Sequence, residues 1–212
     1  MGKLQDNWWK ILGVLLVLYA IVGGLLMDAP RLAILNETIR NLYYHVTMWF
    51  AMMILMTASL VYSIRHLMTS SLVFDQKARI SAGIGILMGL LGIATGSIWA
   101  KFTWGAFWVN DPKLNGAAIT LLIYLAYVIL RNSLDEEQKR ARLAAVYNIF
   151  AYVLLMVFLM ILPRMTDSLH PGNGGNPAFS SYDLDNTMRL IFYPAIIGWT
   201  LIGVWMGQLR MR

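Results

Sequence analysis

Six stretches of the chain carry no Asp, Glu, Lys or Arg: residues 11–27, 41–64, 80–100, 114–130, 143–163 and 190–209. Each is about 17–24 residues long, enough to cross about 30 Å of hydrocarbon as a helix at 1.5 Å per residue. None alternates strictly between apolar and polar positions, so the pattern predicts helices rather than barrel strands. The expected architecture is all-α: a polytopic membrane protein of six transmembrane helices, forming a single integral membrane domain over residues 1–212. The first stretch lacks a small-residue cleavage site and runs into Met27-Asp28-Ala29-Pro30. It reads as a retained span rather than a signal peptide.

Composition agrees. Apolar residues make up 58% of the 212 and charged residues only 13%, against about 25% charged in soluble domains. Disorder is excluded by the hydrophobicity. The net charge of +6 reports topology. If the spans alternate, one side carries Lys3, Lys10, Arg65, Lys77, Arg79, Arg131, Lys139, Arg140, Arg142, Arg210 and Arg212. The other carries Arg31, Arg40, Lys101, Lys113, Arg164 and Arg189. The richer side is expected to be cytoplasmic, with both termini inside. Three segments then face outward, near 28–40, 101–113 and 164–189. The last contains a helix-breaking run, Pro171-Gly172-Asn173-Gly174-Gly175-Asn176-Pro177.

The chain has no cysteine. Disulfides, thiol catalysis, iron–sulfur clusters and covalent haem attachment through a CxxCH motif are thereby excluded. Candidate metal ligands reduce to three His, with Met, Tyr and carboxylates. His45 is the one Asp, Glu, Lys, Arg or His inside any of the six stretches, and such a residue is a functional hypothesis by default. His170 lies in the last outward segment, so both open on the same face. His66, at the opposite end of the second stretch, reads as an interfacial residue. Met48, Met52 and Met56 form an i, i+4 stripe whose ordinary use is packing. Gly83, Gly85, Gly89, Gly92 and Gly96 read as a close helix contact.

The densest feature is the aromatic segment near 99–115, which holds Trp99, Trp104 and Trp108. Gly105 within it permits close approach of a ligand. Trp104 and Trp108 would share a face if this part is helical. Asp111-Pro112 reads equally as a helix N-cap with Pro at the first position and as part of a site. An aromatic platform with two outward His points to haem, because neutral imidazole is a common axial ligand and a porphyrin stacks on aromatic rings. Arg40 and Lys113 are outward cations suited to the propionates. Arg40 precedes His45 by five residues, about 7.5 Å nearer water along a helix. Trp49, one turn beyond His45, is a candidate wall on geometry alone.

Trp104-Gly105-Ala106-Phe107-Trp108-Val109-Asn110-Asp111-Pro112-Lys113-Leu114-Asn115 resembles the tryptophan-rich "WWD" signature of haem-handling proteins in cytochrome c biogenesis. Phe107 and Asn110 stand at aromatic positions of that signature, and Lys113 stands for Arg. Arg40-Asn41-Leu42-Tyr43-Tyr44-His45-Val46 resembles the R-x-x-Y-x-H-V stretch of the cytochrome c maturation protein C (CcmC) family. Ser168-Leu169-His170-Pro171-Gly172 resembles its L-H-x-G stretch. The three matches occur in family order over nearly the whole chain.

The resemblance implies non-covalent haem b, held at the outer face of the bacterial inner membrane. His45 and His170 would be the axial ligands. Trp104, Gly105, Phe107, Trp108 and Asp111 would form the platform, and Arg40 and Lys113 would contact the propionates. It implies delivery to the haem chaperone CcmE, association with CcmD and with the ATPase–permease pair CcmA and CcmB, and no enzymatic step on this chain. His170, on a loop, is expected to be the ligand that releases first. The rival readings are a larger synthetase relative of the CcsA type, a b-type cytochrome for electron transfer, and a permease subunit.

Overall fold

The computed structural model describes residues 7–31, 35–170 and 184–211. All regular secondary structure among them is helical. The helices are α1 (Trp8–Leu26), α2 (Leu42–Thr69), α3 (Leu72–Trp104), α4 (Pro112–Asn132), α5 (Glu137–Met156) and α6 (Asn186–Arg210). A 3-10 turn, Glu37–Asn41, leads into α2. A π turn, Val157–Ile161, and a last helical turn, Leu162–Met165, prolong α5. All six are long and apolar enough to cross a membrane. The protein is thus an all-α polytopic membrane protein. The 171–177 breaker cluster and the terminal cations Lys3 and Arg212 lie outside the described residues.

Local chemistry sets the boundaries. Ser70 adopts a left-handed φ of 54° and donates its N–H to the His66 carbonyl at 2.7 Å, so α2 and α3 form a tight hairpin. Gly105, at φ 83°, ends α3. A side chain there would be strained, which is why this position takes glycine. The α3 helix therefore stops at Trp104, and Trp104 and Trp108 do not share a helical face. Asp111 caps α4 and Pro112 begins it; Asp185 caps α6 through the Met188 amide at 2.7 Å. Pro163 has no N–H for the Leu159 carbonyl. The chain widens just before it, and the Leu162 amide reaches the Val157 carbonyl instead.

The α2 helix is central and packs on α3, α5 and α6, while α1 lies on α6 and α4 bridges α3 and α5. The glycine stripe on α3 makes the α2–α3 contact possible. A Cβ at Gly85 would lie 2.8 Å from Met56 Cε, one at Gly89 2.7 Å from Met52 Sδ, and one at Gly92 2.8 Å from the Trp49 ring. The Met48, Met52 and Met56 stripe is buried core. Lipid is as apolar as these side chains, so such close fit, rather than escape from water, holds the helices together.

Toward the end of the bundle holding His66, polar side chains bond one another across helices. Arg131 donates to Asp75 through two bonds of 2.6 and 2.7 Å, joining α4 to α3. Asn148 on α5 donates to Ser59 and Ser63 on α2, both at 2.8 Å. His66, expected at the interface, is instead buried, and its Nδ1 donates to the Ser71 carbonyl at 2.9 Å. The helices run well past the uncharged stretches: α3 begins at Leu72 rather than residue 80, and so carries Asp75 into the bundle.

Candidate functional site

At the other end, α2, α3, α4 and the widened end of α5 enclose a cavity of about 220 Å³. It runs from Trp108, Lys113, Arg164 and His170 at its lip down to Met53, Ile93 and Leu159. The walls are almost wholly aromatic and aliphatic. This end gathers the connections after α1, α3 and α5. It thus unites His45 and His170, which are 125 positions apart in the chain.

His45 is half-buried on the first turn of α2. Its Nδ1 lies 2.8 Å from the Gly92 carbonyl and 3.4 Å from Thr95 Oγ1. The carbonyl can only accept, so the proton sits on Nδ1 and Nε2 carries the lone pair. The rings of Trp49 and Trp99 meet the imidazole edge-on, with centroids 6.3 and 5.9 Å away. A Cβ at Gly96 would overlap the imidazole. The glycine stripe thus serves packing along most of its length and clears the His45 ring at its end.

His170 is oriented by a carboxylate. Its Nδ1 lies 3.1 Å from Asp111 Oδ1, and its ring meets Trp104 edge-on with centroids 4.6 Å apart. Asp111 is buried. Its Oδ1 also accepts the Lys113 amide at 2.9 Å and the Leu114 amide at 3.4 Å. Its Oδ2 accepts Ser168 Oγ at 2.9 Å and the Leu169 amide at 2.8 Å. Burial pushes the Asp111 carboxyl up, but the bonds from His170, Leu169 and Ser168 outweigh it and hold the group well below the usual carboxylate range. The N-cap and site readings of Asp111 therefore hold together: one carboxylate starts α4 and aims the imidazole. Among the described residues neither His45 Nε2 nor His170 Nε2 has a hydrogen-bond partner, and both side chains line the cavity.

The remaining sequence candidates divide. Trp49, Trp104, Trp108 and Lys113 line the cavity. Trp108, 42% exposed at the lip, is braced by Asn115 Oδ1 at 3.3 Å. Phe107 is outside the cavity, 61% exposed beneath Lys101, whose Nζ is 5.8 Å from the ring centroid. Gly105 also lies outside and acts as the α3 terminator. Arg40 is not at the cavity. Its Nη1 donates to the Gly24 carbonyl at 3.2 Å and to the Met27 carbonyl, and Nη2 lies 3.9 Å from Glu37. The last carbonyls of α1 lack helical partners, and the guanidinium supplies them. Arg40 instead borders a separate shallow groove with Glu37, Tyr44, Trp99 and Phe102.

Sequence reasoning missed Arg164, Thr103 and the supports of His45. Arg164 reaches the lip because the π turn redirects the end of α5; Pro163 was the available signal. Thr103 Oγ1 is a buried hydroxyl without a partner among the described residues, and Thr103 lines the wall. Two imidazoles with outward-locked Nδ1 protons, aromatic walls, an unpaired hydroxyl and lip cations fit a planar, largely apolar iron chelate with acidic edge groups.

Fold and cavity define a multi-pass membrane protein with two imidazoles facing one aromatic-walled space. A family model described as "CcmC: Heme exporter protein C" matches residues 2–212, and the chain belongs to that family. It is 28% identical over 173 residues to heme exporter protein C of Rhodobacter capsulatus, covering 78% of this chain and 68% of the relative. The corresponding Paracoccus denitrificans protein is 28% identical over 144 residues, 65% of this chain and 57% of the relative. That of Escherichia coli K12 is 26% identical over 131 residues, 62% and 51%. The matches span about half to two thirds of the length of these relatives.

Proposed function

We propose that this protein holds haem b non-covalently in the cavity, between His45 and His170, and presents it for cytochrome c assembly. The single observation that carries the reading is the pair of Nδ1-locked imidazoles, both lining one aromatic-walled cavity. The family description, a heme exporter protein, agrees with it. Haem is the cargo, and its iron supplies two axial coordination positions for Nε2 lone pairs. Trp104 and Trp108 wall the macrocycle near the lip, and Trp49 and Trp99 flank the His45 ring. Lys113 and Arg164, rather than Arg40, are placed to meet propionates. Asp111 aims His170 and does not touch the cargo.

Following the lysine and arginine distribution, the cavity end faces out of the cytoplasm, toward the periplasm of a bacterial inner membrane. Delivery goes to the haem chaperone CcmE. CcmD and the CcmA/CcmB ATPase–permease pair are the associated subunits, and covalent attachment takes place on the chaperone.

The test is a pyridine haemochrome assay on protein purified in mild detergent, beside His45→Ala and His170→Ala. The expected result is a b-type signal in the parent protein and a fall of at least about tenfold in hemin affinity in each variant, the scale of losing one interaction worth 1.4 kcal/mol. Parent protein that takes no haem, even with added hemin and the chaperone present, would overturn the reading.

A further inference from the structure

We infer that Asp111 is a positioning residue that makes His170 the stronger of the two axial ligands and leaves His45 as the one that yields first. The inference rests on the proposed haem reading and reverses the expectation drawn from the loop position of His170.

The two imidazoles are held by different acceptors. His45 Nδ1 donates to the neutral Gly92 carbonyl at 2.8 Å. His170 Nδ1 donates to the Asp111 carboxylate at 3.1 Å. An anionic acceptor pulls on the Nδ1 proton, leaves more electron density on the ring and makes Nε2 the better donor. Burial keeps water from the contact, since the Asp111 side chain is 1% exposed, while three backbone amides and the Ser168 hydroxyl share the carboxylate with the imidazole.

Loop position is also a poor guide to mobility here. Asp111 Oδ2 binds Ser168 Oγ and the Leu169 amide, and Ser168 Oγ in turn accepts the His170 amide at 3.1 Å. The backbone that carries His170 is thereby tied to the start of α4. His45 is fixed too, between Trp49, Trp99 and the Gly96 clearance, but its Nδ1 partner is a neutral carbonyl, which raises the donor strength of Nε2 less than a carboxylate does. When the iron exchanges a ligand, the bond to the deeper His45 opens first. The cargo stays on His170 at the lip, beside Trp104, where a partner can reach it.

Asp111→Asn tests this: its oxygen can still cap α4 while the charge is removed, and because its NH2 cannot accept the Leu169 amide, the potential rather than affinity alone separates the lost charge from the loosened tether. Hemin titration of the full-length protein in detergent should show affinity about 10–100-fold weaker, the usual cost of losing such a partner. The ferric–ferrous midpoint potential should rise, which a merely structural role would not produce. His170→Gly should lose more hemin affinity than His45→Gly. In haem-free protein labelled with ¹⁵N-histidine, only three residues report. His170 should show an Nδ1–H tautomer with a strongly deshielded proton, and Asp111→Asn should shift that proton upfield.

A parent protein that binds hemin, with Asp111→Asn unchanged in affinity and potential, overturns the inference alone. So does a larger loss from His45→Gly than from His170→Gly. A parent that takes no hemin overturns the haem reading and this inference with it, while the NMR signal still reports the Asp111–His170 contact.

Discussion

His45 and His66 sit near opposite ends of the same helix, and their local chemistry is nearly identical. Each donates from Nδ1 to a backbone carbonyl, Gly92 at 2.8 Å and Ser71 at 2.9 Å. Their surroundings differ. The imidazole of His66 is buried in a closed hairpin, near an end of the bundle whose polar groups are largely satisfied by one another. His45 lines a cavity, clear of α3 because position 96 has no Cβ, with no partner for Nε2 among the described residues. A hydrogen-bonded histidine in a span is therefore not in itself a site. What makes it one is the space beside its second nitrogen and the groups that share that space.

The largest effect expected from probing this contrast lies at the His66 end. Arg131→Ala should destabilise the protein by about 3–5 kcal/mol, because it strands the Asp75 carboxylate in a buried position. The loss should appear in a thermal or detergent-denaturation curve, while hemin bound per folded molecule stays constant. The double replacement Asp75→Leu with Arg131→Met should recover most of it, since a buried pair is often matched by apolar side chains. A fall in haem stoichiometry in the folded fraction of either variant would break the separation of the two ends.

Gly96→Ala should do the reverse. Its methyl collides with the His45 ring, so hemin affinity should drop by about tenfold or more, the scale of 1.4 kcal/mol lost from ligand geometry. Gly85→Ala, on the same stripe, meets only the flexible end of Met56. It should cost about 1–3 kcal/mol of stability through overpacking and leave hemin binding intact. Titration and melting of the two variants side by side would show whether the stripe has two uses. The smallest effect should come from His66→Ala, about 1 kcal/mol for one hydrogen bond, with an unchanged haem spectrum. Loss of haem in that variant would erase the contrast between the two histidines.

Much of this was readable from the residues. The uncharged stretches located all six helices, because lipid forbids unpaired charge and leaves a clear signature. They underestimated helix length, because charged residues continue a helix where the span meets water. That is why α3 begins at Leu72 and why Arg131, countable only as a loop charge, proves to be buried against Asp75. His45, Trp49 and Trp104 could be chosen on type and spacing, since all three sit in patterned local sequence. The Asp111–His170 contact spans 59 positions, and no local pattern reveals it. Arg40 lies away from the cavity for a related reason. It sits in the 3-10 turn before α2, and the carbonyls ending α1, which hold its guanidinium, belong to another element.

The central claim is that both imidazoles face one iron. Low-temperature EPR of ferric, hemin-loaded protein tests it most directly, with His45→Gly, His170→Gly and the double variant alongside. A low-spin bis-imidazole signal is expected in the parent. Each single variant should convert to high-spin iron and return to low spin when free imidazole is added. A low-spin signal that persists unchanged in the double variant would contradict it.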